Sequence, residues 1–364
     1  MRLSWTLSVY LGRQFITSAG IAMLGLSILM FLFDVIELLR RASGEDIGFG
    51  VIVGMSLLQL PTLMQKLLPF AILFGGMFAF ARLTRTQELV VARAAGISVW
   101  QFMMPAFLIT FFLGTFVVTV FNPLAALMAE RHELLDARHF QGRATLLSVT
   151  RTGLWFRHAT DEGHDVLHAR AVSQQGVELQ GVIIIEQIGP NDTYMGRVDA
   201  EVAILRNGYW DLTNATISPA DALPEKHRRY QLPTTLTLGQ MQDSFASPET
   251  ISFWSLPRFI ALLTNSGFAA VKHRLHWHTI LSVPLLLLAM VLIAATFSLR
   301  LTRRGGTGLL ITGGIMAGFL FFVLSDVFQA FGLSGKIPPV LAAWTPAGVS
   351  TLIGLSLMFH LEDG

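Results

Sequence analysis

The sequence predicts a helical membrane protein of six spans, three before and three after an inserted all-β domain. Three observations predict it. Hydrophobic residues make up 52% of the 364 residues and charged residues 14%, against about 25% charged in soluble domains. Apolar stretches of membrane-crossing length cluster in both flanks. The middle is instead rich in β-branched residues and turn punctuation. The mean hydropathy of +0.57 excludes disorder. With no cysteine, disulfide scaffolds, cysteine zinc sites, thiol nucleophiles and cysteine-ligated clusters are excluded.

A bilayer core of about 30 Å needs roughly 20 apolar residues in a helix. Residues 15–39 supply the first span. They follow Arg2 and Arg13 as a signal peptide would, but the stretch is too long for one and lacks a cleavage site, so it is expected to stay. Residues 51–81 exceed one crossing and contain Pro61 and Pro69, so this span should tilt or kink. Residues 100–127 form the third span. Beyond Glu130, segments such as LQGVIIIEQI and YWDLTNATIS alternate between Gly, Asn, Asp and Pro clusters, the pattern of a sandwich or jelly roll. Leu256, Ile260 and Leu263 then share a helix face, so the domain ends on a helix. Spans at 277–299, 309–331 and 340–359 complete the chain. The domain boundaries read as 1–130, 131–265 and 266–364.

The net charge of +2 conceals an uneven distribution. Residues 130–265 hold 12 Lys and Arg against 16 Asp and Glu, leaving 14 against 8 in the flanks. Arg2, Arg13, Arg82, Arg85, Arg93, Arg300, Arg303 and Arg304 fall on one side of the predicted spans, and Arg40, Arg41 and Lys336 on the other. That excess places the N-terminus in the cytoplasm. The β domain, after an odd number of spans, lies outside. No basic block, zinc-finger spacing or RNA-binding motif suggests nucleic acid.

The loop after the second span, RLTRTQELVVARAAGISVWQ, predicts a short helix from Thr86 to Ala95 ended by Gly96. From pattern alone it is either a surface connector or a knob that docks into a cytoplasmic partner. Glu88 either caps its own helix or faces that partner. Arg40 and Arg41 are either interfacial anchors or phosphate ligands. Lys66 either lines a cavity or snorkels to the interface. Asp326 reads as a rim residue or a partner of Lys336. Gly314 and Gly318 form a small-residue stripe that packs within the chain or against another. Phe319, Phe322 and Val323 suit acyl chains or bulk lipid. His164 and His168, and His273, His276 and His278, read as interfacial or structural groups, so no metal is expected. No catalytic constellation stands out, and no GxxxxGK[ST] loop occurs for ATP.

ELVVARAAGIS after the second span, a β domain after the third and SGKIPPVLAAW before the last together resemble the LptF/LptG permease family of the lipopolysaccharide export ABC transporter. LLTNSGFAAVKHRLHWHTI and the first loop look closer to the LptG branch. The resemblance implies a non-catalytic inner-membrane subunit with a periplasmic β-jelly-roll domain and cytoplasmic termini. Its partners would be a paralogous LptF-like permease, a dimer of an LptB-like ATPase that binds the ATP and magnesium, and LptC/LptA-like regulator and bridge proteins. By the same resemblance, the coupling helix over about 84–96 carries Glu88, Leu89, Arg93, Ala94 and Gly96 to the ATPase. Arg40, Arg41, Lys66, Arg131, Arg138, Phe319 and Phe322 would meet the lipid, and Gly314 and Gly318 would lie at a lateral gate. Where the family often has a further basic residue in the first span, this chain has Asp34, with Glu37 nearby. A lipoprotein-exporter permease usually places its large domain after the first span. A membrane enzyme acting on lipid-linked substrates would need acidic or histidine clusters in interfacial loops.

Overall fold

The computed structural model describes residues 5–43, 47–140, 146–150, 153–159, 163–172, 178–188, 193–206, 208–220, 222–234, 247–265, 270–300 and 307–362. Two compact units divide the chain. One comprises Met1–His132, Ser252–Trp254 and Arg274–Gly364, the other Glu133–Ile251 and Ser255–His273.

The first unit is helical. It contains α1 (Trp5–Arg41), α2 (Phe49–Arg85), α3 (Glu88–Ala94) and α4 (Val99–Phe116), which passes through a π-helical turn at Val117–Phe121 into α5 (Asn122–His139), whose residues from Glu133 belong to the second unit. After the β domain come α7 (Val271–Arg300), α8 (Thr307–Leu333) and α9 (Pro339–Glu362). Among the described residues, six helices are long and apolar enough to cross a membrane. α1 and α2 have 37 residues each, about 55 Å at 1.5 Å per residue, so each exceeds one bilayer crossing. α2 runs through Pro61 and Pro69 as one helix. The third helix also continues past residue 127, where the sequence reading ended it. Ala, Leu, Glu and Arg dominate residues 124–138 and favour helix, and the first strand starts only at Leu146.

α1 and α2 form a tight helical hairpin. A Cβ on Gly75 would lie 2.3 Å from the Ala19 Cα, so only glycine allows this approach. Phe15, Ile72, Leu73, Met77, Met103 and Met290 fill the shared core. The Ser298 hydroxyl, 1% exposed, lies 3.1 Å from the Met77 carbonyl oxygen and ties α7 to α2. α4 begins on a capping box, in which Ser98 Oγ accepts from the Gln101 amide and Gln101 Oε1 accepts from the Ser98 amide.

The second unit is the expected β domain; where the sequence suggests a sandwich or jelly roll, its described strands form one antiparallel sheet. Its described strands are β1 (Leu146–Thr150), β2 (Gly153–Ala159), β3 (Gly163–Val172), β4 (Glu178–Ile188), β5 (Thr193–Arg206), β6 (Tyr209–Pro219) and β7 (Glu225–Pro233), paired in chain order. One face buries Leu167, Leu179, Ile184, Val198, Trp210 and Leu212. α6 (Leu256–Asn265) covers it with Leu263, Ile260 and Phe259; the periodicity predicts Ile260 and Leu263 on that face but not Phe259, and Leu256 is buried outside this cluster.

The in-out alternation inverts along one transverse row. Leu179 and Val182 are both buried, as are Ala200 and Ala203, and Leu212 and Ala215. The inversion falls at Gly181 (φ +60) in β4 and Asn214 (φ +52) in β6, aligned through Glu201 of β5. Asn214 Nδ2 donates to Glu201 Oε2 at 2.7 Å. Two successive outward residues bend a strand as a bulge does, so this row creases the sheet.

Candidate functional site

α3 is the predicted loop helix, at Glu88–Ala94. Gly96 ends it at φ +80, and the Ile97 amide donates to the Ala92 carbonyl at 3.1 Å, the closing bond of a Schellman motif. Ala92 is buried in the helical core, which fixes α3, while Val91 is 68% exposed and Ala94 is exposed. The side chains of Leu89 and Arg93 lie outside the described residues. Glu88 Oε1 accepts from Thr86 Oγ1 at 2.9 Å and from Tyr10 Oη of α1 at 3.2 Å. The helix is therefore linked to α2 by the chain and to α1 by this carboxylate.

At the C-terminal end of α1, Arg40 and Arg41 both engage Glu37. Arg40 donates through Nε and Nη2 at 3.0 and 2.9 Å, and Arg41 through Nε at 3.1 Å. All three side chains remain well exposed, so a second acceptor can reach the guanidinium groups. Asp34 Oδ2, one turn earlier, is buried with no hydrogen-bond partner among the described residues. Lys66, Arg131 and Arg138 are exposed on α2 and α5.

Gly314 and Gly318 face α2 of the same chain. A Cβ on Gly314 would lie 2.5 Å from Met77 Sδ, and one on Gly318 3.3 Å from a Phe70 ring carbon. The stripe thus serves packing within this chain. It leaves Phe319 and Phe322 outward, 61% and 56% exposed. Lys336 stacks over the Phe331 ring at 5.6 Å rather than pairing with Asp326. Only 11% of the α1 span and 11% of the α8 span are buried, against 67% for α2 and 61% for α7. No metal-binding group of three histidines or carboxylates occurs among the described residues.

A polar node escaped the sequence reading. Asn122, 4% exposed, donates to Gln65 Oε1 of α2 at 3.2 Å and accepts from the Phe253 amide at 2.8 Å. Beside it, Trp254 Nε1 donates to the Thr119 carbonyl at 3.0 Å. The segment 252–254 is thereby stitched to the π-helical turn and to α2. In the sequence Asn122 shows only as a polar residue beside Pro123 at the end of an apolar stretch, which does not point to its partners.

Six candidate spans among the described residues, two of them barely covered, together with a short loop helix and an inserted β-sheet domain, define a multi-pass membrane protein. The family model described as lipopolysaccharide export system permease LptF/LptG matches residues 9–360, and the chain belongs to this family. The LptG permease protein of Escherichia coli K12 is 26% identical over 96% of this chain and 97% of its own length. LptG of Haemophilus influenzae is 21% identical over 94% and 95%. LptF of Escherichia coli K12 is 22% identical over 97% and 94%.

Proposed function

We propose that this chain is the LptG-like half of a permease pair that takes lipopolysaccharide from the inner membrane and passes it to a periplasmic bridge. The energy comes from ATP hydrolysed by a separate cytoplasmic subunit. The exposure of α1 and α8, each 11% buried, carries the reading, because two apolar spans left uncovered in one chain suit a partner permease and a lipid path between them. Family membership supplies the lipid class.

α3 docks in the ATPase. Glu88, held by Thr86 and Tyr10, presents a carboxylate to a cation of that partner and passes displacement to α1, a lining span. Arg40 and Arg41 bind phosphate at the outer end of α1 in exchange for Glu37. The termini are cytoplasmic and the β domain periplasmic, in keeping with the arginine distribution. The chain itself holds neither ATP nor magnesium.

Co-purification tests the reading. The full chain should bring down an LptF-like permease and the ATPase. Glu88→Lys should lower ATPase recovery or transport without impairing membrane insertion. Purification as a complete homodimer, or full ATPase recovery and activity with Glu88→Lys, would contradict it.

A further inference from the structure

We propose that the groove between α1 and α4 binds an anionic glycerophospholipid, with its phosphate at Arg13 and one acyl chain running past Ile16 and Ile109. The site lies apart from α8 and from Arg40 and Arg41, and it requires no lipopolysaccharide path. Two cavities of about 630 and 390 Å³ meet at Ile16 and Ile109, which line both. Arg13, Ser8, Thr17 and Gln101 line the larger cavity, and Arg13 is the charged residue among them. Gln65 is the polar side chain of the other, beyond Met23, Leu113 and Phe116.

The dimensions fit one leaflet. Trp5, Ser8, Val9 and Gly12 line the groove on the head-group side of Arg13, and from Arg13 to Met23 its deeper part follows ten residues of α1, about 15 Å of helix, half of a hydrocarbon core of roughly 30 Å. A single acyl chain anchored at the interface spans that depth. The groove is open sideways, since Val9, Ile16 and Leu108 on its lips are 51%, 53% and 51% exposed. Lipid can enter from the bilayer without unpacking the core.

Charge selects the head group. Arg13 is exposed and makes no ion pair among the described residues. Arg82 of α2 stands at about the same height, because both lie six or seven residues from the Ala19–Gly75 crossing. A guanidinium at the interface attracts anionic lipid and forks onto phosphate oxygens. A zwitterionic head group carries its own cation and gains less.

Native mass spectrometry of the full chain, with phosphatidylglycerol and phosphatidylcholine as probes, tests the assignment. Phosphatidylglycerol should be retained several-fold better. Arg13→Gln should reduce its retention to the phosphatidylcholine level, and Leu108→Trp should lower retention of both. A photoreactive residue at position 108 should label phospholipid in membranes. Equal retention of the two lipids, unaffected by either substitution, would overturn the proposal. So would labelling at position 108 of a protein helix or of lipopolysaccharide. Leu108→Trp keeps the test decisive if Arg13→Gln does not fold.

Discussion

Trp254 donates its indole N–H to the Thr119 carbonyl at 3.0 Å, and that carbonyl is available because residue 123 is proline. In an uninterrupted α-helix the amide of residue 123 would bond the carbonyl four residues earlier. Proline has no amide hydrogen and pushes that carbonyl aside. The π-helical turn at Val117–Phe121 absorbs the distortion, with the Asn122 amide bonding Val117. Trp254→Phe should cost about 1 kcal/mol, the net worth of one hydrogen bond. In a Pro123→Ala background, where the helix recovers its own donor, the cost should shrink. Thermal melting of the four proteins in detergent measures the coupling, and additive costs would refute it.

The two glycine contacts on α2 should respond differently to alanine. At Gly75 the new Cβ meets the Ala19 backbone at 2.3 Å, and at Gly314 it meets Met77 Sδ at 2.5 Å. A methionine terminus can swing aside, whereas a backbone moves only by parting the helices. Gly75→Ala should therefore destabilise by about 1–3 kcal/mol or somewhat more, and Gly314→Ala by clearly less. Melting temperatures compared under one detergent condition decide it.

The β domain should lose stability in acid through Asp211. Arg229 donates to Asp211 from Nε at 2.7 Å and from Nη2, and this bond holds the carboxyl below its usual range. A depressed folded-state pKa stabilises above the unfolded value of about 4 and stops doing so as pH falls through the folded value. The stability difference between the native protein and Asp211→Asn should thus be present at neutral pH and vanish in acid.

Glu37 should compete with lipid phosphate for Arg40 and Arg41. Glu37→Gln keeps the shape and removes the charge, so it should raise phosphate-dependent crosslinking of lipopolysaccharide near the end of α1. Arg40→Ala with Arg41→Ala should lower it. No response to either change would remove these arginines from the lipid site.

The spans were legible because lipid demands about 20 consecutive apolar residues, and β1 to β6 because alternation marks a half-buried sheet. β7 was missed. Lys226, His227, Arg228 and Arg229 hide its pattern, and among the described strands it pairs only with β6. The crease at Gly181 and Asn214 breaks alternation midway, so the strands looked only roughly periodic. Glu37 stands three and four residues before Arg40 and Arg41, a spacing that favours ion pairs on a helix. The Asn122 node joins residues 57 and 131 positions apart. Such a meeting follows from tertiary packing, and no local pattern encodes it.

The central claim is that lipopolysaccharide passes along the uncovered faces of α1 and α8. Photocrosslinking from Ile36 and Phe322, which are 60% and 56% exposed, tests it most directly, with Phe112 of α4, 66% exposed, as the control. The account predicts ATP-dependent lipopolysaccharide adducts at Ile36 and Phe322 and phospholipid adducts alone at Phe112. Equal labelling of all three positions by bulk lipid, unaffected by ATP, would contradict it.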